Sequence, residues 1–184
     1  MIFPAIEFIR QKLYTDDIHY GIGNISEIIN DPSNNTSSSH VIISLINIEE
    51  NRISRDPTNF IRRDGGIIMK NPAVHLHLTL LFTSVRGASA YGQALMDIQN
   101  VISSFQKQYV FEGVDEPVLT EAGIEKLILE MVSLNLQQLH EIWSVLGGRY
   151  FPSVLYRMRM VTIDHLPNNP GPVITDIKTD YFLK

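Results

Sequence analysis

Apolar residues recur at helical spacing from the start of the chain: Ile2, Ile6, Ile9 and Leu13 mark one face of an amphipathic helix, with Phe3 and Phe8 widening its stripe. The run Val41 to Ile48 is apolar except at Ser44 and Asn47, the pattern of a strand covered on both faces and set centrally in a sheet. Val74 to Phe82 alternates instead. Val74, Leu76, Leu78, Leu80 and Phe82 share one face, and His75 and His77 begin the other. Ala88 to Gln106 returns to helical spacing, with Tyr91, Leu95, Ile98, Val101, Ile102 and Phe105 as its expected buried stripe. Strand, helix, then strand permits a right-handed crossover covering the sheet.

The stretch Asn135 to Ile163 carries the strongest local signals. Asn135 can cap a helix through its side-chain oxygen, and Gln138 can reach back as the other half of a capping box. Leu136, Leu139, Ile142, Trp143 and Leu146 then recur at helical spacing, and Gly147-Gly148 supplies the left-handed stop. Pro152 restarts the chain as a strand, Val154 to Ile163. Val154, Tyr156, Met158 and Met160 form its core face, while Leu155, Arg157, Arg159 and Val161 point the other way. Burying those arginines without carboxylates would cost several kcal/mol each. That face is therefore solvated, paired with acids, or turned toward another molecule.

Three segments resist burial. Asp31-Pro32 followed by Ser33 to Ser39 is a polar low-complexity loop. Glu49 to Pro72 is too charged for core and long for an idle connection; Asp64-Gly65 is a favoured turn pair between arms Phe60 to Arg63 and Ile67 to Lys70. A hairpin that cannot bury itself alone suggests an arm at 49–72 reaching a neighbouring subunit. After Asp164 the prolines at 167, 170 and 172 exclude regular structure, and the tail 166–184 ends in short apolar stretches able to pair with an exposed sheet edge.

Taken together, LNLQQLHEIWSVLGGRYFPSVLYRMRMVTI at 134–163, NPAVHLHLTLLFTS at 71–84 and the opening IFPAIEFIRQKL resemble the tail-cap, or tail terminator, proteins of phage-like contractile injection systems. The resemblance runs to about Asp164. It implies a tail-terminator-like α/β (α+β) fold, with a mixed, largely antiparallel central sheet and helices packed on it, over a cap domain at 1–165. It also implies a homo-hexameric ring that closes the inner tube and sheath, with the tube and sheath proteins as partners. Ile124 to Leu134 fits either periodicity. A helix there would run into the capped one at Asn135, and the resemblance also implies a strand.

Composition narrows the chemistry. With 184 residues and 44% hydrophobic content the chain suits one domain with a sizeable core. A net charge of -5 argues against nucleic acid as partner; a binder would need a basic stripe joining Arg52, Arg62, Arg63 and Arg149. There is no cysteine, so disulfides and thiolate zinc sites are excluded. His75 and His77 could ligate a metal, but no acid stands at a recognisable spacing, which favours packed or interface histidines. No P-loop, GxSxG, HExxH or dinucleotide fingerprint occurs, so neither catalysis nor a cofactor is expected. Glu7, Arg10 and Lys12 interrupt any secretory core, and no segment reaches membrane-spanning length. The expectation is assembly in the cytosol and residence in the particle, outside the cell once released, without direct membrane insertion.

The residues expected to carry function are therefore contact residues: Arg157 and Arg159 on the polar strand face, Arg149 after the helix, Arg52, Arg62 and Arg63 in the excursion, and His75 and His77. Arginine suits this role because its planar fork pairs bidentately with carboxylates. A phage tail-completion or head-to-tail joining protein, or a small-molecule enzyme, are the competing readings.

Overall fold

The computed structural model describes residues 1–15, 17–31, 39–51, 60–63, 66–69 and 75–162. Helices are α1 (Ile2–Leu13), α2 (Ile25–Asn30), α3 (Tyr91–Lys107, entered through a 3-10 turn at Ala88–Ala90), α4 (Pro117–Glu121) and α5 (Leu136–Val145). Strands are β1 (Tyr20–Ile22), β2 (Val41–Glu50), β3 (Phe60–Arg63), β4 (Gly66–Met69), β5 (Leu76–Ser84), β6 (Val110–Glu112), β7 (Ile124–Val132) and β8 (Ser153–Thr162). A six-stranded sheet runs β1-β2-β5-β8-β7-β6, and β3 and β4 form a separate hairpin. Every pairing is antiparallel except β1 with β2. The chain thus has the mixed, largely antiparallel sheet that the resemblance implies, and Ile124–Val132 is a strand.

One face of the sheet carries the main core. Val41, Ile43, Leu78, Leu80, Phe82, Leu127, Leu129, Tyr156, Met158 and Met160 pack there against Ile6, Phe8 and Ile9 of α1, Val101 and Phe105 of α3, and Leu119 of α4. Phe82, Phe105 and Tyr156 form an edge-on aromatic triangle with centroids 4.8–5.7 Å apart. Edge-to-face contact suits the ring quadrupole and anchors α3 at one rotation.

That rotation differs from the expected one. The buried stripe of α3 is Ala94, Asp97, Ile98, Val101 and Phe105, while Tyr91 and Leu95 are exposed. Asp97 turns inward because Ser84 donates to it at 2.9 Å and Arg86 forks onto both its oxygens at 2.6 and 3.0 Å. β5 and β6 run antiparallel to each other, so α3 is not the crossover of a parallel pair. The handedness rule does not apply to it.

Among the described residues the second face is covered at one end, where Ile42, Leu81 and Leu155 lie under Ile25 and Ile29 of α2 and Trp143 of α5. Asn135 accepts from the Gln138 backbone while the Gln138 side chain accepts from the Asn135 backbone, completing the capping box. At the other end of α5, Gly147 and Gly148 have φ of 120° and 74°, and Gly148 N–H donates to Trp143 O at 2.7 Å. This six-to-one bond closes a Schellman stop at positive φ, a backbone conformation that residues other than glycine rarely adopt. Leu136, expected on the apolar side of α5, points to solvent because it sits in the first turn, beyond the edge of the cluster.

β2 departs from its expected double cover and central place. Val41–Ser44 are buried, whereas Leu45 and Asn47–Glu50 are exposed. β1 is only three residues long and pairs only with Val41–Ile43. A bulge between Leu45 and Asn47 lets Ile46 pack on the second cluster and shifts the register beyond it. The central places belong to β5 and β8.

Candidate functional site

Beyond the cluster under α5, the second face is a polar belt. Two cross-strand rows build it: Glu49, His77, Arg159 and Ile128, then Asn47, Thr79, Arg157 and Glu130. The period of two in each strand puts all of these on one side, and the antiparallel register aligns them into rows. No helix among the described residues covers them, because α5 ends over Leu81 and Leu155.

The belt holds both matched and unmatched polar groups. Arg159 donates to Glu130 at 2.6 Å, with both side chains nearly half exposed. Asn47 donates to Glu49 at 2.9 Å. Arg157 is exposed and makes no ion pair among the described residues. His77 Nε2 and Arg159 Nε are buried without a hydrogen-bond partner. Such a group costs about 1–3 kcal/mol when left unsatisfied. Both residues line a cavity of about 110 Å³ with Asn51, His75, Leu76, Ile128, Met160 and Val161.

The structure therefore brings His75, His77 and Arg159 together, with Arg157 one row away. Arg149 lies elsewhere, at the opposite end of β8, lining a second cavity and stacked over the Phe151 ring at 5.7 Å. Arg62 and Arg63 lie on β3 of the hairpin, whose register runs from Phe60–Met69 to Arg63–Gly66. Arg52, the Asp64-Gly65 turn and the tail 166–184 fall outside the described residues. No group of three or more His, Asp or Glu among the described residues could hold a metal, and no described helix is long and apolar enough to cross a membrane.

Sequence reading missed the buried Ser84–Arg86–Asp97 network. Asp97 is 2% exposed and sits beside Tyr20, whose hydroxyl is pushed up to about 12 by burial and by that carboxylate. His40, at the same end of the sheet, has its pKa lowered by burial first and by the Arg86 charge next. The signal was available: Asp97 stands one position from Ile98, inside an apolar helical stripe.

A family model described as the Pvc16 N-terminal domain matches residues 7–176. The chain belongs to the Pvc16 N-terminal domain family. Two solved structures share its fold. The sheath/tube terminator of an extracellular contractile injection system, in its extended state, superposes with a TM-score of 0.65 at 16% identity, covering 100% of this chain and 64% of the other. The tube-terminating cap of the anti-feeding prophage gives 0.64 at 14% identity, covering 98% and 60%. This Pvc16 N-terminal domain chain spans less than two thirds of either structure. No curated protein matches it. Both solved structures are of terminators, one of a sheath and tube and the other of a tube.

Proposed function

We propose that this chain is the cap of a phage-like contractile injection system, a homo-hexameric ring seated on the last ring of the inner tube and of the sheath. A helical tube is a non-closing assembly whose end always offers an unsatisfied surface. A cap matches that end with one face and offers no equivalent surface on the other. Occupying the end fixes tail length and holds sheath to tube. The cap domain is 1–165; the 49–72 arm and the 166–184 tail reach neighbouring subunits. Assembly takes place in the cytosol, before the particle is released.

The observation that supports this reading is the polar belt, which no helix among the described residues covers. A sheet face with an exposed Arg157 that has no ion pair among the described residues, and with orphaned buried atoms on His77 and Arg159, is suited to carboxylates of another chain. Deleting the protein is expected to give tails of uncontrolled length or sheaths that detach, and electron microscopy of the chain mixed with its tube protein is expected to show rings at tube ends. Particles of normal length and stability without it would overturn the proposal.

A further inference from the structure

A cavity of about 450 Å³ beside the strand ends has an apolar floor of Ile28, Ile29, Val85 and Phe151, with Tyr91, Tyr150 and Arg149 at its rim. Arg149 is exposed, lies over Phe151, and has no anionic partner among the described residues. The cavity thus offers apolar contact and one unmatched positive charge.

The complement to it occurs on the same chain. Val114 is 94% exposed at the tip of the turn after β6, followed by exposed Asp115, and Val118 is exposed in the first turn of α4. Asp115 has no cationic partner among the described residues, whereas its neighbours Glu112 and Glu116 are bound by Lys126 and Lys12. The turn is held firmly: Gly113 N–H donates to Glu125 O at 2.7 Å, and Asp115 N–H to Glu112 O at 3.1 Å. A Cβ on Gly113 would lie 2.5 Å from Ile124 O, so only glycine lets the turn sit this close to β7. A wholly exposed valine on a rigid turn is preorganised for docking.

The two surfaces cannot meet within one subunit. The turn adjoins Ile124, which pairs with Thr162 at the end of β8, while the cavity adjoins Pro152 at its beginning. Ten residues of strand separate them by roughly 30 Å along the strand direction alone.

We infer that the Val114–Asp115 turn of one copy docks in the Arg149 cavity of the next, Val114 on the apolar floor and Asp115 against the Arg149 guanidinium. This is a heterologous contact, the kind that closes into rings; it rests on the ring reading above and specifies its subunit interface. The chain has no cysteine, so Val114→Cys and Tyr150→Cys provide unique handles for a flexible bis-maleimide. The double variant is expected to give a ladder of cross-linked multimers, a mixture of the two single variants only dimers, and each single variant alone monomers. Arg149→Glu and Asp115→Arg, each with unchanged melting temperature, are expected to weaken ring assembly at least tenfold, and their combination to restore it to within about threefold of the parent. Rings seen by native mass spectrometry that are indifferent to both charge reversals and yield no ladder would overturn this contact and leave the cap reading intact. A chain that stays monomeric both in solution and on tube ends would overturn the ring and the contact together.

Discussion

Arg159 on β8 donates to Glu130 on β7 at 2.6 Å, although the residue directly across from Glu130 is Arg157. The ion pair therefore runs diagonally and leaves Arg157, the closer arginine by register, without a carboxylate among the described residues. A pair this exposed contributes only about 0–1 kcal/mol to stability. The diagonal choice matters more for recognition, because it leaves one arginine committed and its neighbour available.

Arg157→Glu is accordingly expected to keep its melting temperature within a few degrees of the parent while reducing binding to tube ends at least tenfold, read by pelleting with purified tubes. Arg159→Glu also breaks an internal pair and places two carboxylates together, so it is expected to lose about 1 kcal/mol as well. Equal binding by the Arg157 variant and the parent would remove the belt from the interface.

The Ser84–Arg86–Asp97 network is expected to matter for folding rather than for assembly. Asp97→Asn leaves Arg86 without its anion on the edge of the core and is expected to cost about 3 kcal/mol in urea unfolding, against about 1 for Ser84→Ala. If both variants unfold like the parent, α3 is held by its apolar stripe alone.

On α5, Trp143→Ala is expected to cost about 3–5 kcal/mol, since it empties the centre of the second cluster. Asn135→Ala is expected to cost about 1 kcal/mol through loss of the capping box. Leu136→Ser, on an exposed position of the same helix, is expected to change stability little. Thermal denaturation of the three variants side by side checks the order.

Tyr20 gives a pH dependence. Its folded pKa of about 12 lies above the ordinary 10.0, so the unfolded chain releases the proton first as pH rises. The stabilisation is full below pH 10 and is lost between about 10 and 12, some 2–3 kcal/mol in all. Tyr20→Phe is expected to flatten that part of the stability curve; an unchanged alkaline slope would mean that other groups set it.

Much of this was legible from local pattern. Short-range periodicity and cap chemistry are local properties, which is why α1, α5 with its capping box and glycine stop, β5, β8 and the two arms of the β3–β4 hairpin stand where the residues imply. The inward face of β8, with Tyr156, Met158 and Met160, follows from strand alternation alone. Arg157 and Arg159 could likewise be placed on the opposite face, but their fates could not be separated. Which of them meets Glu130 depends on the register of β7 against β8, a partnership between residues nearly thirty positions apart.

Local sequence, then, determined which segments become helix or strand and which side of β8 is charged, because those outcomes depend on neighbours a few residues away. The rotation of α3 about Asp97, the half-bare β2 and the placement of the Val114 turn and the Arg149 cavity at opposite ends of the sheet were decided only on folding. Each depends on strand order and on how far a covering helix reaches, and those are fixed by long-range packing rather than by any local run of residues.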